Sequence, residues 1–412
     1  MIENTSPPKK QPWWLRLHRI LTPQRLSYAW VAGIGLWAAW LASAILGSGN
    51  FDLADQVVGT DYIQFYAAGV SLRQGDSDRL YDFEFQSQVE QAVAGPELLS
   101  FHAFITPPFL AWLFVPLSLI PYLWSFVLWS LFSLALLPIS LRLLAYAHPL
   151  RGSLWALTWF PVFAAITFGQ NSLLSLGILC LVYALWRRSH PLLAGLALSL
   201  ILFKPQLALG VLILWLLEWR LEWKSLLGFA LGGGALAALT FTFLPEASQA
   251  YLTFTQEVLP SLISQEQFPL WHSHALRSFW LLLFPGQLTL AEVLALIFTA
   301  VGVLAFLRLW QRRRGEGPVL FAAAICLTIW ITPHAMIYDW AILLIPAVLL
   351  WQHVPAARLQ WKVLFAIIWL VTFLSGPLTY AQRYFLPVAL QISVPIFGLV
   401  LYRLYQQLSN NE

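Results

Sequence analysis

Ser27–Gly47 reads SYAWVAGIGLWAAWLASAILG, a run without one charged side chain. Wound as a helix at about 1.5 Å per residue, a stretch of that length covers the roughly 30 Å hydrocarbon layer of a bilayer. Helix is the required form, because backbone N–H and C=O groups find no water in lipid and must pair within the segment. The same pattern recurs along the chain. Further apolar segments can be drawn at 102–119, 122–146, 153–169, 171–186, 190–203, 205–217, 225–244, 288–309, 319–333, 338–352, 361–376 and 384–403. The shorter of these cross only with local thinning of the bilayer.

Composition agrees with that reading. Apolar residues make up 59% of 412 positions, charged residues 10%, and mean hydropathy is +0.70. A water-soluble globule with that balance lacks the polar surface to cover itself, so the sequence predicts an all-α polytopic membrane protein. The net charge of +4 does not point to a nucleic-acid partner, because the basic residues sit in short clusters between apolar runs, where they act as topology signals. Cys180 and Cys326 lie inside apolar segments and form no spaced ligand or disulfide framework. The residues before the first span carry Lys9, Lys10, Arg16, Arg19 and Arg25 and no small-residue cleavage motif, so the first helix reads as uncleaved.

The positive-inside rule places Arg142/Arg151, Arg187/Arg188, Arg220/Lys224, Arg312–Arg314, Arg358/Lys362 and Arg403 in the cytoplasm. The organisation expected is a basic cytoplasmic N-terminus over 1–26, a single transmembrane domain over 27–404 and a cytoplasmic tail over 405–412. For both ends to be cytoplasmic, one segment must fail to cross; 102–119, with Pro107, Pro108 and Pro116, reads as re-entrant or interfacial, one of the short segments being the alternative, which leaves about 12 full spans. Two extracytoplasmic loops follow, 48–100 and 246–287. The first holds nine acidic and two basic residues, a net charge of −7. Its amphipathic pattern from Tyr62 to Val93, broken at Gly75–Arg79, predicts short helices lying at the membrane interface. The Gly232–Gly234 run reads as a helix-packing feature, since a phosphate-binding glycine loop needs a strand before it.

Polar exceptions in or beside the apolar segments are the candidates for chemistry, since ionisable groups at membrane depth are costly. They are Asp61-Tyr62, Gly169-Gln170-Asn171, Lys204-Pro205-Gln206, His272 with His274, and Thr332-Pro333-His334 followed by Tyr338-Asp339. All fall on the extracytoplasmic side of the expected topology, which predicts that they share one cavity. Each also has a plain structural reading. Asp61 suits a helix cap in an acidic loop, Lys204 can snorkel to the headgroups, and Gln170 and Asn171 can satisfy helix ends at a tight turn or bond sugar hydroxyls. His334 can be an interfacial side chain at a helix end. His272 and His274, two apart, do not share a helix face, and Asp61 has no neighbouring carboxylate, so no metal site is expected. The 22 tryptophans read mainly as interface belts.

The string Gly59-Thr60-Asp61-Tyr62, with Phe65-Tyr66-Ala67-Ala68, Gly75 and Leu80-Tyr81-Asp82, resembles the first outer loop of glycosyltransferase family 87. Thr106-Pro107-Pro108-Phe109, Val115-Pro116-Leu117, Phe168-Gly169-Gln170-Asn171, Phe203-Lys204-Pro205-Gln206 and Thr332-Pro333-His334 with Tyr338-Asp339 follow in the family's order. Where the family pattern has Tyr-Pro, this chain has Thr106-Pro107. The resemblance covers roughly residues 55 to 345. It implies a GT-C-like bundle and an inverting transfer of a sugar, a mannose-like hexose or a pentose, from a polyprenyl-phosphate donor to a glycolipid or glycan acceptor. The reaction would take place at the outer face of the cytoplasmic membrane, among membrane lipids and without a cofactor.

On that reading Asp61 stands where the family has its catalytic carboxylate, the general base for the acceptor hydroxyl. Lys204, His334 and Arg277 are the expected donors to the departing phosphate. Tyr62, Gln170, Asn171, Gln206 and Asp339 are the expected sugar or acceptor contacts, with Asp339 able instead to orient His334 or cap the next helix. The rival reading is a transporter or lipid flippase with a polar pathway. Such folds often show internal repeats and midplane sites, and this sequence has neither an evident repeat nor polar groups spread across the bilayer.

Overall fold

The computed structural model describes residues 13–259 and 270–410. Lys9 and Lys10, residues 260–269 of the second loop and residues 411–412 of the tail lie outside them. Among the described residues the regular structure is helical throughout, and β pairing is confined to two isolated bridges, Phe51 with Val57 and Ser273 with Met336. Among the described residues, five helices are long and apolar enough to cross a membrane: Pro23–Leu46, Tyr122–Leu143, Trp219–Phe243, Leu288–Arg312 and Pro355–Phe385. A sixth results if Phe160–Thr167 and Ser172–Arg187, bent by 118°, count as one broken span. The helical membrane-type character expected from the sequence is thus present, with five or six helices of spanning length against the about 12 spans read from hydropathy.

The difference has a local cause. Several apolar runs are cut into short helices, namely Pro191–Phe203, Pro205–Leu217, Gly317–Ile331 and Ile337–His353. Pro205 cannot continue the helix before it, and Lys204 ahead of it leaves helical geometry at φ −137°, ψ 70°. Burial divides the two sets. Pro23–Leu46 keeps only Gly33 buried and turns Ile34 and Ile45 outward, whereas every residue from Pro318 to Trp330 is buried. A helix apolar on all sides sits in the middle of the protein, and the outward apolar faces of the long helices suit lipid.

The first loop contains two helices, Tyr62–Gln74 and Phe83–Ala94, divided at Gly75. The short helices expected there are present, and the first is covered by protein. Nine of its residues, from Tyr62 to Ser71, are buried, and it packs on the short piece Ala111–Phe114. The segment 102–119 forms no single spanning helix. After an extended stretch it breaks into Pro108–Leu110, Ala111–Phe114 and Leu117–Leu119, the division expected of three prolines. Gly232 does serve packing, since a Cβ there would run into Ser199, while a Cβ on Gly234 would meet nothing.

Candidate active site

Every polar island sits at a helix break. A helix end leaves backbone N–H or C=O groups without intrahelical partners, so polar side chains collect there. Asp61 lies at the start of helix Tyr62–Gln74, held from two sides. Its backbone N–H donates to Phe168 O at 3.0 Å, and the Tyr122 hydroxyl donates to Val58 O at 2.8 Å. The turn opposite, Phe168–Asn171, is the 118° bend between Phe160–Thr167 and Ser172–Arg187. It requires Gly169, which has φ +68° and would bring a Cβ within 2.5 Å of Tyr62 Cβ. The Trp129 indole N–H donates to Gly169 O at 3.0 Å.

From this turn Gln170 Nε2 donates to Asp61 Oδ2 at 2.8 Å. His102 Nδ1 lies 3.6 Å from Asp61 Oδ1. The Tyr338 hydroxyl also interacts with the Asp61 carboxylate. Tyr338 links Asp61 to the next cluster, because Lys204 Nζ stands 5.1 Å from the centre of its ring. Lys204 donates to Asp339 Oδ1 at 2.7 Å and to Ser172 Oγ at 3.3 Å. Ser172 in turn donates to Asp339 Oδ1 at 2.8 Å, and Asp339 Oδ2 accepts the Met336 N–H at 3.2 Å. The Lys204 and Asp339 side chains are 12% and 4% exposed, so each charge is buried against the other. An unpaired ammonium or carboxylate there would cost several kcal/mol.

His334 stands beside this pair. Its ring nitrogen is 3.5 Å from Ser273 Oγ, and the 270–275 and 332–336 loops are tied together where His274 N–H donates to Ala335 O. Burial holds the His334 imidazole below its ordinary value, Asp339 opposing and Lys204 and Arg277 adding to the depression. The ring is thus held toward its neutral form, with one nitrogen to donate and one to accept. Burial likewise lowers His272, with Asp61 opposing, and pushes His274 down to about 3. His274 is a neutral structural side chain whose Nδ1 bonds Ser393 Oγ at 2.7 Å. Arg277 feels the same cluster and is held by Glu292 at 3.4 Å.

The structure thus brings together Asp61, Gln170, Lys204, Asp339 and His334, with Arg277 at the edge. Three other sequence-predicted residues sit differently. Tyr62 is fully buried among Phe114, Phe126 and Trp129 with its hydroxyl on Ser125, so its side chain belongs to the core. Asn171 is also fully buried, and neither polar atom of its side chain has a partner. Gln206 is half-buried, two residues after Lys204. Both oxygens of Asp339 are occupied by protein donors, which suits a brace for Lys204 more than a direct sugar contact. Sequence reading missed His102 and Ser172. Ser172 could have been found as the residue that opens a helix after a polar turn, but His102 carries no local signal, lying at the edge of an apolar run.

A carboxylate, a buried lysine and imidazoles thus gather at the helix breaks of a helical, membrane-type chain. The family profile described as glycosyltransferase family 87 matches residues 104–337, more than half of the chain, and the protein belongs to that family. It is accordingly a glycosyltransferase, with a sugar donor and an acceptor as substrates. No curated protein and no solved structure matches the chain.

Proposed function

We propose that the protein moves a sugar, a mannose-like hexose or a pentose, from a polyprenyl-phosphate donor to an acceptor hydroxyl with inversion, at the extracytoplasmic face of the cytoplasmic membrane. The observation that carries this reading is the adjacency of two unlike groups: a partly exposed carboxylate, Asp61, and the Lys204–Asp339–Ser172 cluster, joined through Tyr338. Inverting transfer needs one base on the acceptor side and cationic donors on the leaving-group side. Asp61 takes the proton of the acceptor hydroxyl as that oxygen attacks the anomeric carbon. The bond from that carbon to the phosphate oxygen breaks, and its electron pair leaves with the phosphate.

Lys204 is suited to the leaving phosphate. Of the three N–H donors of an ammonium, Asp339 and Ser172 take two, which leaves one for a ligand. His334 and Arg277 supply further donors beside it, and Gln170 and Gln206 flank the space a sugar would fill. A lipid-borne donor reaches such a site sideways from the bilayer. The test is transfer of radiolabelled sugar from a synthetic polyprenyl-phosphate donor by the purified protein. Asp61→Asn should lower kcat by about 10²–10⁴, the range lost with a general base. Full activity in that variant would remove Asp61 from the role.

A further inference from the structure

Asp61 Oδ2 is taken by Gln170, and Oδ1 faces His102 Nδ1 across 3.6 Å. That separation is beyond a good hydrogen bond, so neither polar atom is satisfied by the other. Both side chains are partly open, 14% exposed for His102 and 22% for Asp61. The imidazole is also held in place. Its Nε2 lies 3.1 Å from Ser100 Oγ; with that hydroxyl as the donor, the ring hydrogen is on Nδ1 and points at Asp61. Its backbone N–H donates to Glu90 Oε2 at 3.1 Å, and two residues on, Phe104 N–H donates to Gln86 Oε1 at 2.8 Å. Gln86 and Glu90 are one turn apart on helix Phe83–Ala94 and hold the backbone of His102 and Phe104 as a pair.

We propose that His102 is an acceptor-binding residue, and that the attacking sugar hydroxyl sits between Asp61 Oδ1 and His102 Nδ1. A hydroxyl has one hydrogen to give and two lone pairs. It donates its hydrogen to Oδ1 and accepts the Nδ1–H bond on one lone pair, and the second lone pair is left to attack the anomeric carbon. The hydroxyl proton passes to Asp61, the new carbon–oxygen bond forms, and the old bond's electrons depart with the phosphate. Ordinary distances to both partners require them roughly 4–5 Å apart, an opening of about 1 Å that side-chain torsions supply. His102 thereby fixes which hydroxyl of a polyhydroxylated acceptor reacts. The proposal rests on Asp61 as the base.

The experiment compares wild type, His102→Phe and His102→Asn for KM of donor and acceptor separately, with Asp61→Asn alongside. The Glu90 bond uses the backbone of residue 102 and survives all side-chain changes, so the variants keep the segment in place. The Asn side-chain nitrogen occupies the position of Nδ1. His102→Phe should raise the acceptor KM about tenfold or more, with donor KM unchanged, and His102→Asn should return it to within about threefold of wild type. An acceptor KM unmoved in His102→Phe, or His102→Asn as impaired as Phe, overturns the proposal. Binding of octyl α-mannoside and octyl β-glucoside without donor, followed by tryptophan fluorescence, is a second arm independent of turnover. Saturable binding weakened in His102→Phe supports the subsite, and equal binding, or none to either protein, overturns it. Activity retained in Asp61→Asn instead brings down the underlying reading, whatever the His102 variants do.

Discussion

Glu90 is 1% exposed, and its Oε1 has no partner, while Oε2 accepts the His102 N–H. Burial raises its carboxyl from 4.5 to about 8, with the His102 N–H opposing, so the folded protein holds a neutral acid at neutral pH. A proton bound more tightly in the folded chain than in the unfolded one adds stability that is complete below the unfolded value of 4.5 and disappears as pH rises through about 8. At about 1.4 kcal/mol for each tenfold change in proton affinity, the full swing is roughly 5 kcal/mol. Glu90→Gln keeps an oxygen for the His102 N–H and places an amide where the neutral acid stood, without the pH dependence. The variant should match wild type near pH 5 and exceed it increasingly up to pH 8. Thermal unfolding midpoints in one detergent at pH 5, 6, 7 and 8 measure this. A difference between the two proteins that stays flat with pH, or a variant less stable than wild type at pH 8, refutes the reasoning.

Removing one member of the buried Lys204–Asp339 pair, as Lys204→Met or Asp339→Leu, should destabilise the fold by about 3–5 kcal/mol, and the double variant by much less. Denaturation of all four proteins forms the cycle, and additive losses would mean the two charges are not each other's main partners. Gly169→Ala should cost about 1–3 kcal/mol and lower transfer, because the turn that carries Gln170 needs φ +68° and has Tyr62 against it. Its check is the unfolding midpoint, with an unchanged midpoint counting against the turn as described. Because burial keeps the His334 imidazole neutral, binding of an anionic polyprenyl phosphate near pH 6.5 should be accompanied by proton uptake, seen as a dependence of calorimetric heat on buffer ionisation enthalpy. That uptake should vanish in His334→Asn; uptake unchanged in the variant assigns the proton to another group.

The Ser27–Gly47 run, the sparse charges and the recurring apolar segments were enough to read a helical membrane protein from sequence, because transfer free energy into lipid sums over a local window. The polar islands were legible for the same reason, each being a costly exception within its own segment, and their shared order carried the family resemblance. The number of full-length helices was not legible. Hydropathy registers how apolar a stretch is and is insensitive to whether Pro205 or Gly169 cuts it, so segments that read as spans are short helices meeting at the site. Local sequence also could not tell Tyr62, buried in an aromatic cluster, from a residue facing the substrate, though it stands next to Asp61.

Partner choice belonged to the tertiary structure alone. Lys204 and Asp339 lie 135 positions apart, Gln170 and Asp61 109, and nothing in either neighbourhood announces the other. His102 is the clearest case: in sequence it is the edge of an apolar run, and in the folded chain it faces Asp61 because helix Phe83–Ala94 holds its backbone there. Membrane insertion depends on sums over neighbours along the chain, whereas a hydrogen bond of 3 Å depends on where distant turns stop, which only packing decides.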